Sequence, residues 1–177
     1  IVTIAKVALV NHLGALKDSN NLTAIVRAVN DSLLSSITAK GIGLALQLFI
    51  LDSQRQVLVY TSCGMPYPML ADAYHRLQPL EMRQPPLGFF RQMKVEQREV
   101  PLAPGQLLVV ASDGIFERFN QKKEEYGLAR FKGSAEAQLQ KSASSPELLE
   151  SIFADADMFS ESTPHHDDMT ALCARLV

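Results

Sequence analysis

Hydrophobic positions divide the chain into helical stripes and β-rich runs. Ile1 to about Leu16 is apolar nearly all round, the signature of a buried helix. After Asp18-Ser19-Asn20-Asn21, which offers N-caps, Leu22, Ile25, Val26, Val29 and Leu33 recur at helical spacing, with Arg27, Asn30 and Asp31 on the other side. Leu44–Leu51 and Val57–Thr61, joined by Asp52-Ser53-Gln54-Arg55, predict a hairpin whose first strand is apolar on both faces and therefore covered on both. Glu96–Val100 and Leu107–Ala111 predict a second strand pair around Ala103-Pro104-Gly105-Gln106, where proline and glycine suit a type II turn. The stretch 121–144 is polar apart from Tyr126, Leu128 and Phe131, and predicts irregular structure with a short helix. Ser145-Pro146-Glu147 predicts a helix start with serine as N-cap; Leu148, Leu149, Ile152, Phe153 and Ala156 form its inward face. Ala171–Ala174 is a terminal strand after the polar loop Ser160–His166.

Composition narrows the class without identifying the chemistry. The 177 residues suit one domain, and 47% apolar content supports a substantial core. A net charge of −2 gives no general footprint for nucleic acid or an anionic membrane, so neither is expected as the main partner. Cys63 and Cys173 lack CxxC spacing and read as buried free thiols of a reducing cytoplasm. The apolar start is too short and too interrupted, by Lys6, Asn11 and His12, for a membrane span. Because the chain opens on Ile1, already inside a helix, it reads as cut from a longer protein.

Two acidic corners carry the candidate chemistry. Ser112-Asp113-Gly114 follows the strand Leu107–Ala111, and Asp167-Asp168-Met169-Thr170 precedes the terminal strand. Each places a carboxylate at the end of a strand expected to be buried, where an unpaired charge costs several kcal/mol and a shared cation would compensate it. Oxygen-only ligands suit Mg²⁺ or Mn²⁺ rather than zinc. Either motif alone is better explained as an ordinary turn or a solvated loop; their value lies in occurring together and in this order. His165-His166 invites a zinc reading, but adjacent histidines do not easily reach one tetrahedral ion. Ser112 has neither a glycine elbow nor a nearby histidine base to make it a nucleophile. Lys122-Lys123-Glu124-Glu125 reads as a surface turn, and Phe89-Phe90-Arg91 as core or rim.

Six motifs in order resemble the bacterial SpoIIE-like branch of the PPM metal-dependent protein phosphatases. They are Tyr60-Thr61-Ser62-Cys63-Gly64-Met65-Pro66-Tyr67-Pro68, Pro86-Leu87-Gly88, Leu102-Ala103-Pro104-Gly105-Gln106, Ser112-Asp113-Gly114-Ile115-Phe116-Glu117, Tyr126-Gly127-Leu128 and Asp167-Asp168-Met169-Thr170. The resemblance implies an α+β fold, a four-layer α/β/β/α sandwich of antiparallel sheets, over a single domain spanning 1–177 and lacking the family's first strands. It also implies a binuclear Mn²⁺ or Mg²⁺ site that removes phosphate from phosphoserine or phosphothreonine through a metal-bound water, with no catalytic side chain of its own. By position Asp113 and Asp167 match metal-binding aspartates, Asp168 is the ligand if the register shifts by one, and Gly114 supports the turn. The implied substrate is a phosphoprotein such as an anti-sigma-factor antagonist. An upstream sensor or receiver domain would act through the two N-terminal helices, and a homodimer remains open. Two positions depart from the pattern, Gln106 for an aspartate and Met65 for a histidine, and neither is a ligand in the family. The family's D-x-x-G-H-G motif is absent from these residues, which leaves a non-catalytic, phosphatase-like adaptor as the alternative.

Overall fold

The computed structural model describes residues 2–15, 21–36, 41–161, 163–164 and 166–175. Two antiparallel sheets flanked by helices give the expected α+β class. The chain forms two compact units, Ile1–Met65 with Met82–Leu102, and Pro66–Glu81 with Ala103–Val177.

In the first unit, helices α1 (Val2–Ala15) and α2 (Leu22–Ser36) accompany a three-stranded sheet in the order β1 (Leu46–Asp52), β2 (Val57–Cys63), β5 (Arg98–Pro101). The stripe Leu22, Ile25, Val26, Val29 and Leu33 is buried as predicted and packs with Val59, Cys63, Leu87 and Val95. Asn21 caps α2, its Oδ1 accepting from the Ala24 N–H at 3.1 Å; the other proposed caps, Asp18, Ser19 and Asn20, lie outside the described residues. The expected hairpin forms from Leu46↔Cys63 to Asp52↔Val57, with Asp52 Oδ1 accepting from the amides of Gln54 and Arg55.

Three expectations fail in this unit. Helix α1 is not buried: Ala5 and Ala8 are covered, but Val2, Val7 and Val10 are 71%, 55% and 61% exposed. An apolar circumference says nothing about how many neighbours exist to cover it. Strand β1 is likewise only half covered, because it lies at the sheet edge and Leu51 remains exposed. The third failure is Asn30, expected on the outward side of α2 but only 2% exposed: it turns in to accept from Gly88 N–H and donate to Phe90 O, and so pins the loop behind the exposed Phe89 and Phe90.

The second unit holds a four-stranded sheet ordered β4 (Leu77–Pro79), β3 (Met69–Ala71), β6 (Leu107–Ala111), β7 (Ala171–Arg175), with helices α3 (Asp113–Phe116), α4 (Gly127–Gln140) and α5 (Ser145–Ser160). The predicted pairing of the strands flanking the Pro104-Gly105 turn is wrong. The turn itself forms, with Gly105 at φ +82° and Gln106 N–H donating to Ala103 O at 3.1 Å, but β5 pairs with β2, and β6 with β3 and β7. The 121–144 stretch is also more regular than expected, since α4 is a full 14-residue helix. Only Phe131, Ala135 and Leu139 are buried along it, a narrow stripe on an otherwise polar helix. Helix α5 begins where the Ser-Pro-Glu signal lies, but its N-cap is Ser144, in a capping box with Glu147. Its residues Leu148, Ile152 and Ala156 are fully buried; each large side chain contributes about 1.5–3 kcal/mol, an upper estimate. That burial anchors α5 and with it the loop leading to Asp167.

Candidate metal corner

Strands β6 and β7 pair from Leu107↔Arg175 to Ala111↔Ala171, so the end of one lies beside the start of the other. The two acidic corners, 54 residues apart in sequence, are thereby brought to one edge of the sheet. Ser112 extends the pairing by one residue. Its N–H donates to Thr170 O at 2.8 Å, its Oγ donates to Asp168 O at 3.1 Å, and the same Oγ accepts from Thr170 N–H at 2.9 Å. The hydroxyl therefore braces the two corners, a role that sequence reasoning missed when weighing it only as a nucleophile.

Gly114 sets how closely the corners approach. A Cβ at this position would stand 2.4 Å from Asp168 O and 2.9 Å from Asp168 C. These are backbone atoms, so no rotamer change relieves the clash. The buried glycine is thus a cradle for the Asp167-Asp168 backbone.

The carboxylates differ from expectation. Asp113, Asp167 and Asp168 are all exposed rather than desolvated, since Asp113 opens α3 beyond the buried part of β6, and Asp167 and Asp168 lie in the loop before β7. Burial therefore does not demand a cation at these carboxylates, and what remains is their donor chemistry. Asp113 Oδ1 accepts from Gly114 N–H at 3.0 Å and Asp167 Oδ1 from Asp168 N–H at 2.7 Å, which leaves the second oxygen of each without a partner among the described residues. Such hard oxygen donors fit Mg²⁺ or Mn²⁺ in kind. They do not complete a site: among the described residues no three His, Cys, Asp or Glu side chains are grouped to hold an ion.

A second brace lies behind the corner. Arg118 is only 4% exposed. Its Nη2 meets Asp157 Oδ1 at 3.3 Å and donates to Ser160 Oγ, both on α5, while Nη1 reaches Thr163 O at 3.5 Å. Its Nε has no partner among the described residues, at a cost of about 1–3 kcal/mol for an unsatisfied buried donor. Beside it, Thr163 Oγ1 donates to Phe119 O, Gln121 Nε2 donates to Glu161 O at 3.3 Å, and the Phe119 and His166 rings meet edge to face. His166 is exposed, and His165 lies outside the described residues. No sequence signal pointed to Arg118, because arginine is ordinarily a surface residue.

Elsewhere in this unit, Tyr126 of the Tyr-Gly-Leu motif is buried and donates to Asp155 Oδ2 at 2.5 Å; burial, followed by the neighbouring carboxylate, pushes its phenol upward. In the other unit burial raises the Cys63 thiol to about 11, which keeps it an unreactive thiol near neutrality. No helix among the described residues is long and apolar enough to cross a membrane.

No curated protein matches the chain by sequence. Solved structures do match. The SiaA-PP2C domain of Pseudomonas aeruginosa superposes with a TM-score of 0.85 at 21% identity, covering 99% of this chain and 68% of that one. The RsbU and RsbW domains of a Mycobacterium tuberculosis protein give 0.72 at 22% identity, with 97% and 46% covered. The PP2C phosphatase domain with a fragment of the regulatory domain of the cell fate determinant SpoIIE from Bacillus subtilis gives 0.75 at 22%, with 97% and 48% covered. The chain thus spans about two thirds of the first of these structures and less than half of the other two. At these identities the likeness establishes the fold, which is that of the PP2C phosphatases. The family model for stage II sporulation protein E (SpoIIE) matches residues 5–177, and the chain belongs to that family.

Proposed function

We propose that the chain is the catalytic-type domain of a metal-dependent protein serine/threonine phosphatase in bacterial signalling. One observation carries the reading: β6–β7 pairing and the Gly114 cradle bring Asp113 and Asp167-Asp168 to one sheet edge with carboxylate oxygens left open. Divalent cations, Mn²⁺ or Mg²⁺, would supply charge neutralisation and an activated water there. Asp113 and Asp167 would hold them through their open oxygens, with Asp168 as the ligand if the register shifts by one. Ser112 fixes the Asp168 carbonyl and the Thr170 amide, which keeps the second corner in place. The remaining donors of a binuclear site belong, by family resemblance, to the D-x-x-G-H-G motif, which these 177 residues do not include. The substrate is a phosphoprotein such as an anti-sigma-factor antagonist, and control comes from an upstream sensor or receiver domain through α1 and α2.

Mn²⁺ titration and p-nitrophenyl phosphate hydrolysis by the full-length protein test the reading. Asp113→Asn and Asp167→Asn each reduce Mn²⁺-dependent turnover by more than about a hundredfold, beyond what loss of a supporting residue costs. Unchanged turnover in Asp113→Asn removes that residue from the mechanism. A second reading, a phosphatase-like adaptor without turnover, is favoured by the incomplete donor grouping among the described residues. It predicts neither Mn²⁺ binding nor hydrolysis.

A further inference from the structure

Two segments flank the acidic corners. Residues 117–121 follow Asp113 and Gly114, and residues 160–166 lead into Asp167. We infer that Arg118 is a positioning residue that locks these segments together and so sets the spacing between Asp113 and Asp167-Asp168. The inference rests on the metal-site reading given above and names the residue that holds the site's geometry.

The guanidinium spans partners on two pieces of chain, Asp157 and Ser160 at the end of α5 and the Thr163 carbonyl in the loop beyond it. A planar fork of donors does this where a point charge cannot. The surrounding bonds join the same two segments: Thr163 Oγ1 to Phe119 O, and Gln121 Nε2 to Glu161 O. Stability alone does not explain an arginine here. A buried guanidinium whose Nε has no partner among the described residues is a costly filler, and an apolar side chain of similar volume is often neutral or better. Asp157 is half exposed, so water solvates its carboxylate when the arginine is removed. What the apolar side chain cannot replace is directionality. Without it, Thr163 keeps its bond to Phe119 O and Glu161 its bond from Gln121, Ser112 still holds Asp168 and Thr170, and the second corner loses its fixed distance from the first.

Loss of Arg118 therefore weakens ion affinity more than it weakens the fold. The test follows Mn²⁺ binding to the full-length protein through loss of the free-ion paramagnetic resonance signal, with p-nitrophenyl phosphate turnover and thermal melting alongside. The variants are Arg118→Met, Arg118→Lys, Tyr126→Phe and Asp113→Asn. Arg118→Met lowers Mn²⁺ affinity about tenfold to a hundredfold, the usual cost of losing a residue that orients ligands. Turnover at saturating Mn²⁺ changes much less. Arg118→Lys keeps the charge, loses the fork and falls between wild type and methionine. Tyr126→Phe, which removes the bond to Asp155 on the same helix α5, lowers the melting midpoint and leaves Mn²⁺ affinity unchanged. Wild-type Mn²⁺ affinity in both arginine variants overturns the inference, and if Arg118→Met fails to fold, the lysine variant decides alone. A wild type that binds no Mn²⁺, or an Asp113→Asn that binds it equally well, overturns the site reading and this inference with it. Binding lost in Asp113→Asn but intact in the arginine variants overturns this inference only.

Discussion

Asp72 and Asp113 both follow a strand of the same sheet, yet their carboxylates have opposite fates. Asp72 comes directly after β3, whose Leu70 pairs with Leu108 near the start of β6, whereas Asp113 lies past the end of β6, at the other end of the sheet. Asp72 is consumed by its own turn. Oδ1 accepts from the amides of Tyr74 and Arg76, both at 2.9 Å, and Oδ2 accepts from Gln78 Nε2 at 3.3 Å. Asp113 and Asp167 each give one oxygen to the next amide and keep the other. An aspartate at a strand end is thus structural when the following residues curl back to donate to it. It is available for chemistry when a second strand and a glycine hold the chain open instead.

The largest test of this contrast removes the opening. Gly114→Ala drives a Cβ into the Asp168 carbonyl, and overpacking of this kind costs about 1–3 kcal/mol. For a chain of this size each kcal/mol lowers the melting midpoint by roughly 2–4 °C. Mn²⁺-dependent turnover should fall further than stability, because the corner must move to make room. Gly133→Ala is the control. It lies within α4 with nothing near its absent Cβ, so alanine there stabilises by up to about 1 kcal/mol. Equal melting midpoints for the two alanine variants would remove the cradle from the account.

A smaller effect separates the carboxylates themselves. In metal-free buffer Asp72→Ala lowers the melting midpoint, because three donors lose their acceptor. Asp113→Ala leaves it unchanged or raises it, since one of several neighbouring negative charges disappears. Thermal melts of both variants at neutral pH check this, and a larger loss for Asp113→Ala would reverse the assignment of roles.

This difference between strand ends was only partly legible in the sequence. Asp113-Gly114 and Asp167-Asp168 stand out because each abuts an apolar run, and β6–β7 pairing confirms that the two runs meet. Their exposure could not be read, because it depends on what else reaches the sheet edge rather than on the strands themselves. Ser145-Pro146-Glu147 announced α5 because capping chemistry is local, although the capping serine is one residue earlier. Helix α4 was missed because Phe131, Ala135 and Leu139 are a minimal stripe, one of them a small residue. The strand pair around Pro104-Gly105 was misassigned because a tight turn fixes local geometry and not which strands its arms join. Arg118 was invisible because its burial is created by α5 and the loop beyond it, 39 to 45 residues away.

The smallest effect lies in the pH dependence of the Asp72 turn. The Arg76 amide holds its carboxyl below the ordinary value of 3.8; desolvation opposes it, and the Tyr74 amide, the Gln78 side chain and the Arg76 charge add smaller lowering effects. A carboxyl lowered on folding binds fewer protons in the native state than in the unfolded one. Its contribution to stability is therefore complete above the unfolded value and is lost as pH falls through the lowered native value. Asp72→Asn keeps an amide oxygen for the turn and removes only the ionised state. The melting midpoints of wild type and Asp72→Asn should differ most at pH 5 to 7, converge as pH drops below about 4, and meet once both chains are neutral at this position. A gap that stays constant from pH 6 to pH 2 would show that the turn depends on the oxygen's position and not on its charge. The comparison with Asp113 would then rest on hydrogen-bond geometry alone.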